Sequence, residues 1–176
     1  MTSIYLRELT KDDVNDNYLH GFKNSTVLSF LDVEGDKLKA KDVIDYIEKG
    51  VKTKSYYMYA VCLKENDQHI GNIKVGPIDY KHMLSDLVAV IWDEDYWGKG
   101  IATEAIKLGN KLAFEKHNIR KLTGGINSEN IGSIKAYTRA GWVKEGTLFN
   151  HYNLENKFQH RICVSCFNPS YFPNEK

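Results

Sequence analysis

The 176-residue chain balances 24 Lys and Arg against 23 Asp and Glu, a formal net charge of +1, with 42% hydrophobic residues. That composition suits one globular domain over residues 1–176; with no basic arm or acidic tail, nucleic acid and anionic membranes are not expected partners. No apolar stretch nears the roughly 20 residues of a membrane span, Met1–Thr10 lacks a secretory pattern, and three cysteines suit a reducing compartment, so a cytoplasmic protein is expected.

The first strand is expected over Ile4–Leu9, followed by helical patterns over Lys11–Gly21 and Ala40–Thr53. Tyr56–Leu63, His69–Val75 and Leu84–Trp92 read as successive strands, the first two joined by the turn residues Glu65-Asn66-Asp67. After Gly100 the period lengthens. Ile101, Ala105, Leu108 and Leu112 recur at helical spacing, with Glu104 near the start and Lys116 and His117 at the end, as the helix dipole favours. A strand over Arg120–Ile126 leads to a short helix with Asn130 as N-cap and Gly141 past its end. Trp142–Phe149 and Lys157–Phe167 complete the order β-α-α-β-β-β-α-β-α-β-β.

Antiparallel strands that run into a strand–helix–strand unit require one parallel pairing and a right-handed crossover. The expected fold class is α/β, a mixed sheet with helices on both faces. Cys163 and Cys166 form a C-x-x-C pair, yet positions i and i+3 of a strand point to opposite faces. With no second pair to complete a zinc site, a buried strand is the plainer reading and no metal is expected.

The stretch that carries chemistry is Asp95–Ala105, between a β-branched strand and an amphipathic helix. Gly98 and Gly100 permit dihedrals closed to other residues, and the free N–H groups of a helix start favour an anion. A diphosphate suits that arrangement, with Lys99 adding charge at the rim. The spacing matches neither G-x-x-x-x-G-K-[ST] nor a G-x-G-x-x-G after the first strand, which disfavours P-loop and Rossmann readings.

Trp97-Gly-Lys-Gly-Ile-Ala102, followed by Thr-Glu-Ala, resembles the acetyl-CoA signature Q/R-x-x-G-x-G/A of the GNAT superfamily of N-acetyltransferases. Downstream, Asn130, Ser133, Tyr137, Gly141 and Trp142 match that family's second motif, N-x-x-[SA]-x-x-x-Y-x-x-x-G-[FW]. His69-Ile-Gly-Asn-Ile-Lys74 is similar to its second hairpin. The likeness covers residues 4–167 and is nearest the ribosomal-protein N-terminal acetyltransferase-like branch. Trp97 stands where Gln or Arg is usual, which leaves Lys99 as the cation of the loop.

The resemblance implies a mostly antiparallel twisted sheet whose fourth and fifth strands splay apart, with acetyl-CoA as cosubstrate. It places Val90, Ile91 and Trp92 along the pantetheine arm and residues Trp97, Gly98, Lys99, Gly100, Ile101, Ala102 and Thr103 at the pyrophosphate. Asn130 and Ser133 would meet the cofactor from the other side. A backbone N–H of Ile91 or Trp92 would hold the oxyanion, and Tyr137 would protonate the leaving thiolate, although helical spacing alone also makes Tyr137 a core residue. Asp86 is the first candidate for the general base, ahead of Asp93 and Glu94. Acceptor specificity is expected at Phe30–Glu34, Asp79–Met83 and Phe149–Asn153, with Tyr80, His82 and Tyr152 as substrate-binding candidates. The expected acceptor is a small amine, an amino sugar or polyamine, with a peptide N-terminus as the rival and a non-catalytic acyl-CoA-binding module as the reading of another class. A homodimer is a family-level expectation.

Overall fold

The computed structural model describes residues 3–23, 25–30, 37–154 and 156–173. The strands β1 (Ile4–Glu8), β2 (Tyr57–Leu63), β3 (His69–Asp79), β4 (Leu84–Ile91), β5 (Lys121–Asn127), β6 (Val143–Leu154) and β7 (Lys157–Phe167) form one sheet. Its order is β1-β2-β3-β4-β5-β7-β6. Every pairing is antiparallel except β4 with β5, as the strand–helix–strand unit requires. The helices are α1 (Asp16–Gly21), α2 (Ser25–Leu28), α3 (Ala40–Thr53), α4 (Ile101–Lys116) and α5 (Ile131–Arg139).

Alternation along the strands divides the core between the two faces of the sheet. Tyr59, Val61, Ile73, Leu87, Leu122 and Val164 face α4 and α5, whose Ile101, Ala105, Ile106, Ala136 and Tyr137 complete that cluster. Ala60, Cys62 and Trp92 face the other way, against Tyr18 and Phe22 near α1 and Val43 and Ile47 of α3. On β7, Cys166 joins the buried core, and the alternation turns Cys163 to the opposite face, so the two thiols lie on a strand and point apart.

Four elements differ from the sequence expectation, the first being the single turn of α2, which no sequence pattern marks. The helix expected over Lys11–Gly21 is a 3-10 turn, Lys11–Asp13, followed by α1 with Asn15 as N-cap. Asp13 enforces the break: its carboxylate accepts from the Thr10 N–H (2.8 Å) and from both terminal nitrogens of Arg7 (2.8 and 2.6 Å). β3 continues past Val75 to Asp79, with a register shift between Val75 and Ile78 beside the cis Gly76–Pro77 bond. β6 runs on to Leu154 because β7 offers a partner from Lys157 onward, and a register shift between Leu148 and Tyr152 absorbs the mismatch. Among the described residues no helix is long and apolar enough to cross a membrane.

Candidate active site

β4 and β5 pair only at Leu84–Lys121, Ser85–Leu122 and Asp86–Thr123. Beyond that point each continues without the other, opening a gap in the middle of the sheet. At the fork the Thr123 hydroxyl donates to the Asp86 carboxylate in a short hydrogen bond. Further up the gap, α5 delivers the phenol of Tyr137. Its O–H donates to the Leu87 carbonyl (2.9 Å) and its oxygen accepts from the Ala89 N–H (3.2 Å). The phenol thereby takes up groups that a continuing β5 would have bonded.

Two helices hold that phenol in place. The Tyr137 ring meets Trp142 edge-on, with centroids 4.9 Å apart. The Trp142 indole N–H donates to the Asn110 side-chain oxygen on α4 (3.0 Å), and the Asn110 amide donates to the Ala140 carbonyl just past α5 (3.3 Å). Burial pushes the Tyr137 phenol above its ordinary range, and the Ala89 N–H only partly offsets that. Tyr137 is therefore a core residue by its ring while its oxygen lies in the gap, and it is neutral at physiological pH.

Ladder alternation decides which backbone groups of β4 face the gap. The Trp92 N–H is spent on the Ile70 carbonyl (3.2 Å), and Val90, paired with Asn72, shares its orientation. Ile91 shares that of Ala89, so its N–H points into the gap. Of the trio Val90, Ile91 and Trp92 expected along the pantetheine arm, Ile91 alone offers a free N–H there.

A 3-10 turn, Glu94–Tyr96, carries the chain from β4 into the glycine loop. Trp97 departs from its expected role. Its backbone N–H donates to the Glu94 carbonyl (2.9 Å) and its indole N–H to the Ile91 carbonyl (2.8 Å). With both donors committed, it pins the loop to the end of β4. Gly98 and Gly100 adopt φ of 71° and 84°, which strains any L-residue, although a Cβ at either would meet nothing within 4 Å. The first bond of α4 runs from the Glu104 N–H to the Gly100 carbonyl (3.1 Å). The N–H groups from Gly98 to Thr103 thus have no partner among the described residues. This arrangement fits a diphosphate. Lys99 is exposed beside it, 5.7 Å from the Tyr96 ring centroid. Asn130 caps α5 by accepting from the Ser133 N–H (3.0 Å), so both residues stand at a second helix start.

The expected acceptor residues do not all converge. Tyr80 and His82 sit on the turn between β3 and β4, at the paired end of the gap. Tyr80 donates to the Lys54 carbonyl (2.6 Å), and the His82 carbonyl accepts from Arg120 (2.7 Å). The eight residues of β4, roughly 25 Å of strand, separate them from the glycine loop. Tyr152 belongs to the β6–β7 hairpin, with its ring edge-on to His151 (4.9 Å). That hairpin is tied to the open end of β5 by the Ser128 N–H bond to the His160 carbonyl (2.9 Å). Phe149 is exposed and meets His160 edge-on (5.1 Å). Phe30 is exposed, and residues 31–34 lie outside the described residues.

Beside the end of β4, on the α1 face, opens a cleft of about 950 Å³ lined in part by Asp13, Tyr18, His69, Trp92 and Asp93. Asp86, Tyr137 and the glycine loop do not line it. Behind two of its lining residues, the buried Asn72 amide donates to the Tyr18 oxygen (3.1 Å), and its Oδ1 lies 2.9 Å from His69 Nε2. Asn72 and Asn110 both escaped the sequence reading. Asn72 interrupts the apolar residues of β3, and Asn110 falls four residues after Ile106 and three before Ala113, on the buried side of α4; an amide at such a position is the signal that marks it.

A model of the acetyltransferase (GNAT) domain matches residues 3–143. Spermidine N(1)-acetyltransferase of Escherichia coli K12 is 25% identical, over 99% of this chain and 91% of its own length. A probable N-acetyltransferase of Bacillus subtilis, YjcK, is 23% identical over 95% of both chains. Spermidine N-acetyltransferase from Vibrio cholerae, solved with CoA and spermine, has a TM-score of 0.85 at 20% identity and covers 96% of this chain and 98% of its own. Ribosomal-protein-S5-alanine acetyltransferase from Vibrio fischeri has a TM-score of 0.79 at 18% identity, with 96% and 94% covered. The last two share the fold.

Proposed function

Since the chain belongs to the GNAT acetyltransferase family, an acetyl-CoA-dependent group of enzymes, we propose that the β4–β5 gap is where a small primary amine is acetylated. Acetyl-CoA supplies the acyl group as a thioester. The amine lone pair forms the new C–N bond at the carbonyl carbon, and the C–S bond breaks. The Ile91 N–H, directed into the gap, stabilises the negative charge that develops on the carbonyl oxygen. Tyr137 donates its phenolic proton to the departing thiolate. Asp86, at the fork, takes the proton that the amine nitrogen must shed, directly or through water. The N–H groups from Gly98 to Thr103 and the Lys99 ammonium hold the pyrophosphate, with Asn130 and Ser133 at the neighbouring helix start.

The observation that carries this reading is the Tyr137 phenol bonded to Leu87 and Ala89 inside the gap, on the strand that leads into a loop whose N–H groups have no partner among the described residues. The spermidine acetyltransferase activities of the Escherichia coli and Vibrio cholerae proteins put polyamines ahead of amino sugars among the small amines to test. The Vibrio fischeri protein keeps a peptide N-terminus as the rival within the ribosomal-protein acetyltransferase-like branch.

The test is release of coenzyme A thiol from acetyl-CoA with spermidine, glucosamine and an alanine-terminated peptide. Turnover of the small amines supports the proposal, and turnover of the peptide alone transfers it to N-terminal acetylation. A melting temperature raised by acetyl-CoA, by several degrees at 100 times its Kd (about 2.7 kcal/mol), with no thiol release would leave a non-catalytic acyl-CoA-binding module.

A further inference from the structure

The floor of the sheet beside the gap carries a charged group that the transfer chemistry does not use. On β7, Ile162, Val164 and Cys166 pack toward α4 and α5, so Arg161 points to the opposite face. On β5, Leu122 and Ile126 belong to the same core, which turns Thr123 and Gly125 to the face of Arg161. Asp86 and Val88 of β4 share that face, since Leu87 lies in the α4/α5 core. An amine approaching from the face opposite α4 and α5 meets all of these groups.

Arg161 lies folded across Gly125. A Cβ on Gly125 would stand 2.0 Å from the Arg161 Nε and 2.2 Å from its Cζ, so glycine is the residue that lets the guanidinium rest on the β5 backbone. Despite that close seat, the guanidinium has no hydrogen-bond or ion-pair partner among the described residues. The nearby carboxylates are engaged elsewhere: Asp86 accepts from Thr123, and Glu145 is held by Lys121 (2.6 Å) and Ser165 (2.6 Å). Two residues along β7, the Gln159 side-chain oxygen is buried without a partner. A planar cation seated by packing, with its donor fork unspent, is built to receive an oxyanion.

We propose that the acceptor amine carries an anionic oxygen group, a carboxylate or a phosphate, that binds Arg161 while the amine lies at the gap. This rests on the acetyl-transfer reading and departs from the order in which the relatives' activities rank the amines, placing an anionic amine ahead of a polyamine. Gly125 stands two residues beyond Thr123, roughly 7 Å along the strand, so amine and anion are a few bonds apart. The same guanidinium repels a chain of ammonium groups. It also favours the neutral form of a nearby amine, which is the form that attacks.

The experiment compares kcat/KM for n-butylamine, putrescine, 4-aminobutanoate and 3-aminopropyl phosphate in the wild type, Arg161→Gln and Arg161→Lys. An anionic acceptor is expected to exceed putrescine by about tenfold or more, the worth of one charge-assisted bond; which of the two anions leads identifies the group. Arg161→Gln is expected to abolish that preference and Arg161→Lys to restore part of it. Butylamine reports general damage, and KM for acetyl-CoA is expected to stay constant. Putrescine turned over as well as either anionic amine overturns the inference. So does a rise in KM for acetyl-CoA in Arg161→Gln with acceptor preference intact, which would place the guanidinium on the donor. Thiol release with spermidine, glucosamine or the peptide but with neither anionic amine overturns this inference and leaves the acetyl-transfer reading standing; thiol release with no amine of either set sinks both.

Discussion

The Tyr137 hydroxyl donates to the Leu87 carbonyl over 2.9 Å, which places an acidic proton at the height where β5 leaves β4. Tyr137→Phe keeps the ring against Trp142 and removes that proton. General acid catalysis is worth about 10²–10⁴-fold, so kcat is expected to fall by about 10² or more with KM for acetyl-CoA nearly unchanged. A variant that retains wild-type kcat would move the acid elsewhere.

Burial raises the Tyr137 pKa, and the protonated phenol is the working form. Loss of activity through this group therefore lies above the ordinary tyrosine value near 10. As the pH rises from 8 to 10, kcat is expected to hold level. A descending limb with a midpoint below about 9 would assign the acid to another group.

Asn110 ties the Trp142 indole to the Ala140 carbonyl. Asn110→Leu leaves a buried indole N–H without an acceptor, at about 1–3 kcal/mol, which lowers the melting temperature by several degrees for a chain of this size. Because Trp142 supports the Tyr137 ring, kcat is expected to fall modestly as well. Thermal unfolding that matches the wild type would show that the amide carries no such weight.

The parts of this molecule that were legible in its sequence are those set by local periodicity. The helical spacing from Ile101 to Leu112 delimits α4, and β-branched alternation gives the strands within a few residues. The glycine loop was legible because Gly98 and Gly100 supply dihedrals that other residues avoid. Hydrogen-bond parity is a different matter. Val90, Ile91 and Trp92 are equivalent in a motif, but the ladder with β3 consumes two of their N–H groups and leaves the third. Trp97 likewise reads as a loop residue, and only folding shows its indole spent on Ile91. Tyr80 and His82 are close in sequence to the strand that carries the site, yet topology puts them at its far end. The Arg161–Gly125 contact joins distant segments, so no local pattern announces it.

Gly98 and Gly100 separate dihedral strain from steric contact, because a Cβ at either meets open space. Alanine at each is expected to cost about 1–2 kcal/mol through the positive φ alone. It also turns the loop N–H groups away from their common target. KM for acetyl-CoA should rise about tenfold, the equivalent of roughly 1.4 kcal/mol of binding, with a smaller effect on kcat. Gly109→Ala is the contrast. Its Cβ would lie 3.0 Å from a Leu87 methyl and 3.1 Å from one of Ile73, so it should lower stability and leave KM in place. Equal KM values across the three variants would remove the loop from donor binding.

Asp13 sets the acid limit of the α1 corner. Burial alone would raise its pKa, but the Arg7 guanidinium, the Thr10 N–H and the Thr10 hydroxyl outweigh that and hold it at about 2. The unfolded carboxylate titrates near 3.9. Its folded value is the lower one, so its contribution is complete above about pH 4 and disappears as the pH falls toward 2. Allowing for solvent screening at this partly exposed corner, that contribution is about 1 kcal/mol. Asp13→Asn should therefore shift the urea midpoint downward at pH 7, and the gap to the wild type should shrink to a fraction of that size at pH 2.5. A gap of equal size at both pH values would trace the loss to the geometry of the Thr10 turn and not to the charge.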